Sequence, residues 1–263
     1  AARNAQCKTH LRQIAIGMLN FESTHGEFPA GGWGFRWMGD PDMGVGQRQP
    51  GGWIYQVAPL LEQGTVTLIG AGISDYNQKR TALAEQRSVS VPIFNCPSRR
   101  NVVSLESVEF CYNAGNPAVD AKTDYAANGG SNAVSLTSGP GPDCIEKYPN
   151  CTWAPSDAAI ANNFRGIVTA RTGAEIRQIT DGTANTIIAG EKYHDPLYYD
   201  TISHDPYSVG DFNAADDNPG DNSSMWQGYD QDTVRWPGES RPPQRDTPGV
   251  YLERHMGSAK PAT

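Results

Sequence analysis

The sequence predicts an α+β fold: a long amphipathic N-terminal helix packed on an antiparallel β-sheet, with long irregular loops. Three observations carry that expectation. Residues 1–25 space Cys7, Leu11, Ile14, Met18 and Phe21 alternately four and three apart, the period of a helix with one buried face. Two shorter helical patterns then precede a series of short β-branched or aromatic segments separated by loops, an order that suits helices laid on an antiparallel sheet. Finally, the 263 residues include 28 Gly and 19 Pro but also 6 Trp, 11 Tyr and 7 Phe. Disordered chains lack aromatics, so this composition describes ordered, loop-rich structure.

The first helix has a marked end. Gly26 suits the left-handed turn after the last helical residue, and Pro29 prevents resumption. Leu11, Ile14, Met18 and Phe21 are its core face, and Arg3, Lys8, Arg12, Gln13 and Asn20 lie opposite. Its start carries no Ser, Thr or Asp cap, so the expectation is a longer helix running in from upstream of Ala1. Residues 1–25 are then its C-terminal half, and 26–263 a loop-rich head forming a single domain with it.

Residues 29–52, rich in Gly, Pro and Trp, hold too many breakers for regular structure. WIYQVAPLLEQ (53–63) reads as a short helix, and YNQKRTALAEQR (76–87) as another built from good helix formers. VSVPIFNCP (89–97) reads as an edge or bulged strand because of Pro92. DYAANGGS (124–131) is a strand end entering a glycine turn, and FRGIVTA (164–170) a strand. Residues 175–193 divide into a short helix, a turn at Asp181-Gly182 and the strand TIIAGEKY.

Composition limits the function. The net charge of −8, with acidic residues concentrated after residue 194, argues against a nucleic-acid surface. No run of 18 apolar residues is present to cross a bilayer. Five cysteines suggest an oxidising compartment. The disulfide candidates are Cys144 and Cys151, seven apart in a Gly/Pro-rich loop, with Cys96 and Cys111 flanking another irregular stretch; Cys7 is left over. Zinc is the alternative, but it lacks a C-x-x-C pair or a nearby His.

Six segments in one order carry a family resemblance: 6–30, GGWIYQVAPLLEQ (51–63), VPIFNCPSRR (91–100), DYAANGGS (124–131), IRQITDGTANTIIAGEKY (176–193) and GDNSSMWQGYDQDTVRW (220–236). Together they resemble the planctomycete pilin-like family with the DUF1559 domain, also catalogued as a bacterial solute-binding-like family. The resemblance implies a type IV prepilin leader and about 20 apolar residues spanning the inner membrane, continued by the helix seen here. It further implies a cell-envelope location, periplasmic or at the surface, with single-pass anchoring, and self-association or assembly with related pilin-like subunits. The family usually ends with a Gly-Ser-Ala-His-Pro stretch and a His-x9-Asp-Gly element. Here Lys260 stands in place of that His, and the chain ends at Thr263 without the terminal strand.

No motif supplies catalysis. The five histidines (His10, His25, His194, His204 and His255) form no H-E-x-x-H pair, and nucleophile-elbow and phosphate-loop patterns are lacking. The reading is therefore non-enzymatic. Asp181 is expected to close its own turn. The acidic run around Asp211, with Asp216, Asp217, Asp221, Asp230 and Asp232, is the candidate calcium site, because calcium takes six to eight oxygens from flexible loops. Major pseudopilins resemble it in binding calcium through a C-terminal loop. Trp33, Phe35, Trp37, Trp53, Trp226, Tyr229 and Trp236 are either a carbohydrate platform or the loops' own packing. Two functions follow: a pilin-like structural head, or an extracytoplasmic module binding polysaccharide or another solute.

Overall fold

The computed structural model describes residues 2–132, 136–163, 165–202 and 220–248. Helix α1 spans Ala2–His25, and Gly26, at φ 81°, ends it with its N–H on Glu22 O. Cys7, Ile14, Gly17, Met18 and Phe21 are buried, and Leu11 packs half-buried on the core. The head-facing stripe is thus the one the sequence marks, with one addition. Gly17 has no side chain, and Leu61 packs into the space a Cβ would fill. None of the first residues, 2–6, is buried or half-buried, so packing on the head begins at Cys7.

Helix α2 (Trp53–Val57) runs into a 3-10 turn at Ala58–Leu61 that packs on α1, and α3 (Gly64–Thr67) follows. Helix α4 (Tyr76–Ser88) starts at Asp75, whose carboxylate accepts Gln78 N–H at 2.9 Å. Strands β1 (Ser104–Glu106) and β2 (Val119–Ala121) form an antiparallel pair. Strand β3 is Tyr125–Asn128; two short helices, α5 (Cys144–Lys147) and α6 (Asp157–Asn163), come next, then the antiparallel pair β4 (Val168–Thr169) and β5 (Thr172–Gly173). Strands β6 (Ala189–Glu191) and β7 (Val234–Arg235) flank β3.

The fold is α+β, but the sheet departs from expectation in detail. In the order β6-β3-β7, Ala126 faces Gly190 across an antiparallel pair while Ala127 faces Val234 across a parallel one. Residues 89–97 are not a strand. Pro92 opens a 3-10 turn, Pro92–Phe94, because its fixed φ suits a turn start and it has no N–H for a ladder. The predicted strands 164–170 and 186–193 shorten to β4 and β6.

Loop 29–52 is irregular yet deeply buried, so its backbone needs substitute partners. Two buried glutamines provide them. Gln49 accepts from Asp40 N–H (2.9 Å) and Gly51 N–H (3.0 Å) and donates to Asp40 O (2.9 Å) and Gly44 O (2.6 Å). Gln56 accepts from Gly46 N–H at 2.8 Å and donates to Ala30 O at 2.9 Å. Gly32, at φ 85°, lies where a Cβ would meet Pro50 O at 2.3 Å.

Candidate functional site

Charged side chains of several motif segments lie inside the protein. Four of its motif segments (91–100, 124–131, 176–193 and 220–236) meet in a buried charge network. Arg100 donates from Nε to Asp124 at 2.8 Å and from Nη1 to Asp221 at 2.7 Å, with Tyr199 O at 3.1 Å. Lys192 Nζ donates to the other oxygen of Asp221 at 2.6 Å and to Gly220 O at 2.8 Å. Lys122 Nζ reaches Asn222 O (2.9 Å) and Ser223 O (3.1 Å). Arg100, Asp124, Asp221 and Lys192 are all at most 2% exposed in their side chains.

Burial alone would raise the Asp221 carboxyl, but Arg100 and Lys192 outweigh it and hold it far below the usual carboxylate range. Burial pushes His194 well below its ordinary value, against the pull of Asp221, so the ring is neutral. It stacks on Tyr199 with centroids 5.4 Å apart. A second buried pair, Arg87 on Asp120 through two 2.8 Å bonds, ties α4 to β2. With opposite charges this close and no water access, each arrangement clamps distant segments together.

For Asp221, Asp230 and Asp232 this geometry corrects the calcium assignment. Asp221 is the shared counter-ion of Arg100 and Lys192, and the ammonium groups of Lys192 and Lys122 occupy the positions among loop carbonyls that a cation would seek. Asp230 accepts Asp232 N–H at 3.0 Å, and Asp232 accepts Ser223 N–H. Asp221, Asp230 and Asp232 do not converge as a ligand group among the described residues. Asp211, Asp216 and Asp217 lie outside the described residues, as do His204, His255 and Lys260.

The glycan platform is corrected too. Trp33, Trp37, Trp53, Trp226 and Trp236 are 0% exposed and Tyr229 1%, so no flat face is open to a sugar. Each of these five indole N–H groups is bonded inside, to Gln47 O, Pro140 O, Thr233 O, Val89 O and Tyr229 Oη respectively. Trp53 and Trp226 both pack edge-on against Phe94, while Trp33 and Trp37 form a satellite cluster with Cys144 and Met43.

The cysteines pair as Cys7–Cys96 and Cys144–Cys151, and Cys111 is the free one. The pairing of Cys144 with Cys151 matches the sequence reading; the grouping of Cys96 with Cys111 does not. Cys7 sits on the head-facing side of α1, against which the turn preceding Cys96 packs. Cys111 is buried beside Arg87 instead, and burial pushes its thiol up to about 12. The Asp181 turn also closes differently. Asn185 Nδ2 donates to Asp181 O at 3.1 Å and Thr186 Oγ1 to Gly182 O at 3.1 Å, so downstream side chains do the closing.

That turn borders a cleft of about 460 Å³ lined by Asn128, Arg165, Gln178, Ile179, Asp181 and Thr186. No helix among the described residues is long and apolar enough to cross a membrane. Sequence reasoning missed Arg100, Asp124, Lys122 and Lys192. The available signal was charge inside short segments otherwise built for burial, such as IAGEKY and TDYAAN. Among known proteins, the family model SBP_bac_10, described as a protein of unknown function (DUF1559), matches residues 1–261. No curated protein matches the chain, and no solved structure does.

Proposed function

The chain belongs to the DUF1559 family, and on that premise we propose that it is the head of a pilin-like or pseudopilin-like envelope protein. Its role is structural and non-enzymatic. An upstream apolar helix anchors it in a membrane, and it associates with copies of itself or related subunits through α1. One observation carries this reading. Helix α1 buries a single face, while the opposite face presents Lys8, Arg12, Ile16 and Leu19 to solvent, with Ile16 50% and Leu19 40% exposed. An apolar patch on an outward helix face suits contact with a neighbour. Two disulfides support an oxidising, extracytoplasmic compartment.

The test has two arms. The native precursor is expected to carry a basic leader and about 20 apolar residues directly before Ala1; an ordinary signal peptide cleaved at Ala1 would overturn the assignment. Ile16→Asp with Leu19→Asp in the full-length protein is expected to abolish assembly, read by sedimentation, while leaving the melting temperature unchanged. Assembly that survives the pair removes α1 as the contact.

The cleft beside Asp181 favours a second reading, a module binding a small polar solute. Its volume lies in the usual range for small-molecule sites, roughly 300–1,000 Å³. Calorimetric binding of mono- and oligosaccharides lost in Gln178→Ala would support that reading over the structural one.

A further inference from the structure

We propose that Cys7, Cys96 and Glu191 form, once the Cys7–Cys96 disulfide is reduced, a site for a thiophilic divalent cation of the zinc class that clamps α1 to the head. The two sulfurs and a Glu191 carboxylate oxygen all lie within 4.8 Å of one another. Three separate segments supply them: the second turn of α1, the residue pair following the Pro92–Phe94 turn, and the end of β6. Glu191 Oε1 is 3.5 Å from Cys96 Sγ.

The surroundings suit such an ion. Zinc takes thiolate and carboxylate ligands and tolerates three protein ligands with a water in the fourth place. The Ser98 hydroxyl lies 3.1 Å from Cys96 Sγ and 3.3 Å from Cys7 Sγ, placed to donate to either thiolate. Arg99 approaches the other Glu191 oxygen at 3.6 Å and orients the carboxylate. Outer partners of this kind fix ligand geometry. Ser98 is exposed above two buried sulfurs, so rotation of one small side chain opens the way in. The other cysteines have no comparable carboxylate among the described residues.

Oxidation state decides occupancy, because the ligand is the thiolate and a disulfide has none to offer. A phosphine or dithiol reductant supplies two electrons and breaks the S–S bond. The two thiols then lose their protons to solvent as the ion binds, and the ion keeps its own oxidation state. The sulfurs must separate to about 3.8 Å to sit tetrahedrally on zinc with Zn–S bonds of about 2.3 Å.

The probe is cadmium, added to the phosphine-reduced chain carrying Cys144→Ser and Cys151→Ser. The expected result is a thiolate-to-cadmium charge-transfer band that saturates at one ion per chain. Glu191→Gln should weaken binding at least about tenfold, the loss that even an outer partner causes. Cadmium should also raise the melting temperature of the reduced chain, but not that of a Cys7→Ser/Cys96→Ser variant. No band, the same band in that variant, unchanged affinity in Glu191→Gln, or a reduced chain that cadmium does not stabilise would each overturn the site.

Discussion

Asp221 and Asp230 illustrate how one loop sets opposite demands on two carboxyls. Asp221 is ionised between Arg100 and Lys192, so its folded-state pKa lies below its unfolded one. The stability it contributes is present above about pH 4 and lost as pH falls below it. Asp230 is shifted the other way, to about 6, chiefly by burial. Between its unfolded value near 3.9 and about 6 the folded state binds the extra proton, so ionising Asp230 works against the fold as pH rises. Asp230→Asn should therefore stabilise the protein by about 1–3 kcal/mol near pH 7.5 and give no gain below about pH 4, read from melting temperatures across that range. Equal gain at both ends would mean that Asp230 does not titrate in this window. Arg100→Met takes the guanidinium from buried Asp124 and leaves buried Asp221 with Lys192 alone. A loss of about 3–5 kcal/mol in urea unfolding is expected.

At the scale of the element, α1 shows what amphipathic spacing conveys and what it omits. Ile14 and Met18 are 0% exposed, so Ile14→Asp with Met18→Asp should unfold the head, read by loss of the cooperative thermal transition. Ile14→Ala alone should cost about 2–4 kcal/mol, more than Leu11→Ala, because Leu11 is only half-buried. The spacing of four and three revealed this stripe directly. It could not reveal Gly17, whose importance comes from Leu61 of another element. Loop 29–52 makes the same point. Its irregularity was legible from its Gly and Pro content, but its burial depends on Gln49 and Gln56, whose amides bond loop backbone from two to 26 residues away, a pairing that no periodicity records. Gln49→Leu should cost several kcal/mol in chemical denaturation, since about 1–3 kcal/mol is lost for each buried group left unpaired.

Across the whole molecule, the two disulfides close rings of very different size, with sequence separations of 89 and 7. In the chain-entropy account, removing Cys7–Cys96 as a Ser pair should cost about 4–5 kcal/mol and removing Cys144–Cys151 about 2, compared by guanidinium unfolding. A reversed order would show that native packing, not loop closure, governs their effect. The sequence by itself determined the α+β class, the reach and buried face of α1, the helices near 53 and 76, the Asp181 turn and the family, because each depends on neighbours a few residues apart or on motif order. Tertiary structure alone decided that Cys7 joins Cys96, that β7 lies parallel to β3, that the tryptophans turn inward, and that Asp221 faces Arg100 and Lys192. Those outcomes rest on contacts between segments dozens of residues apart, and composition or periodicity records which side chains can be buried but not which partner each will meet.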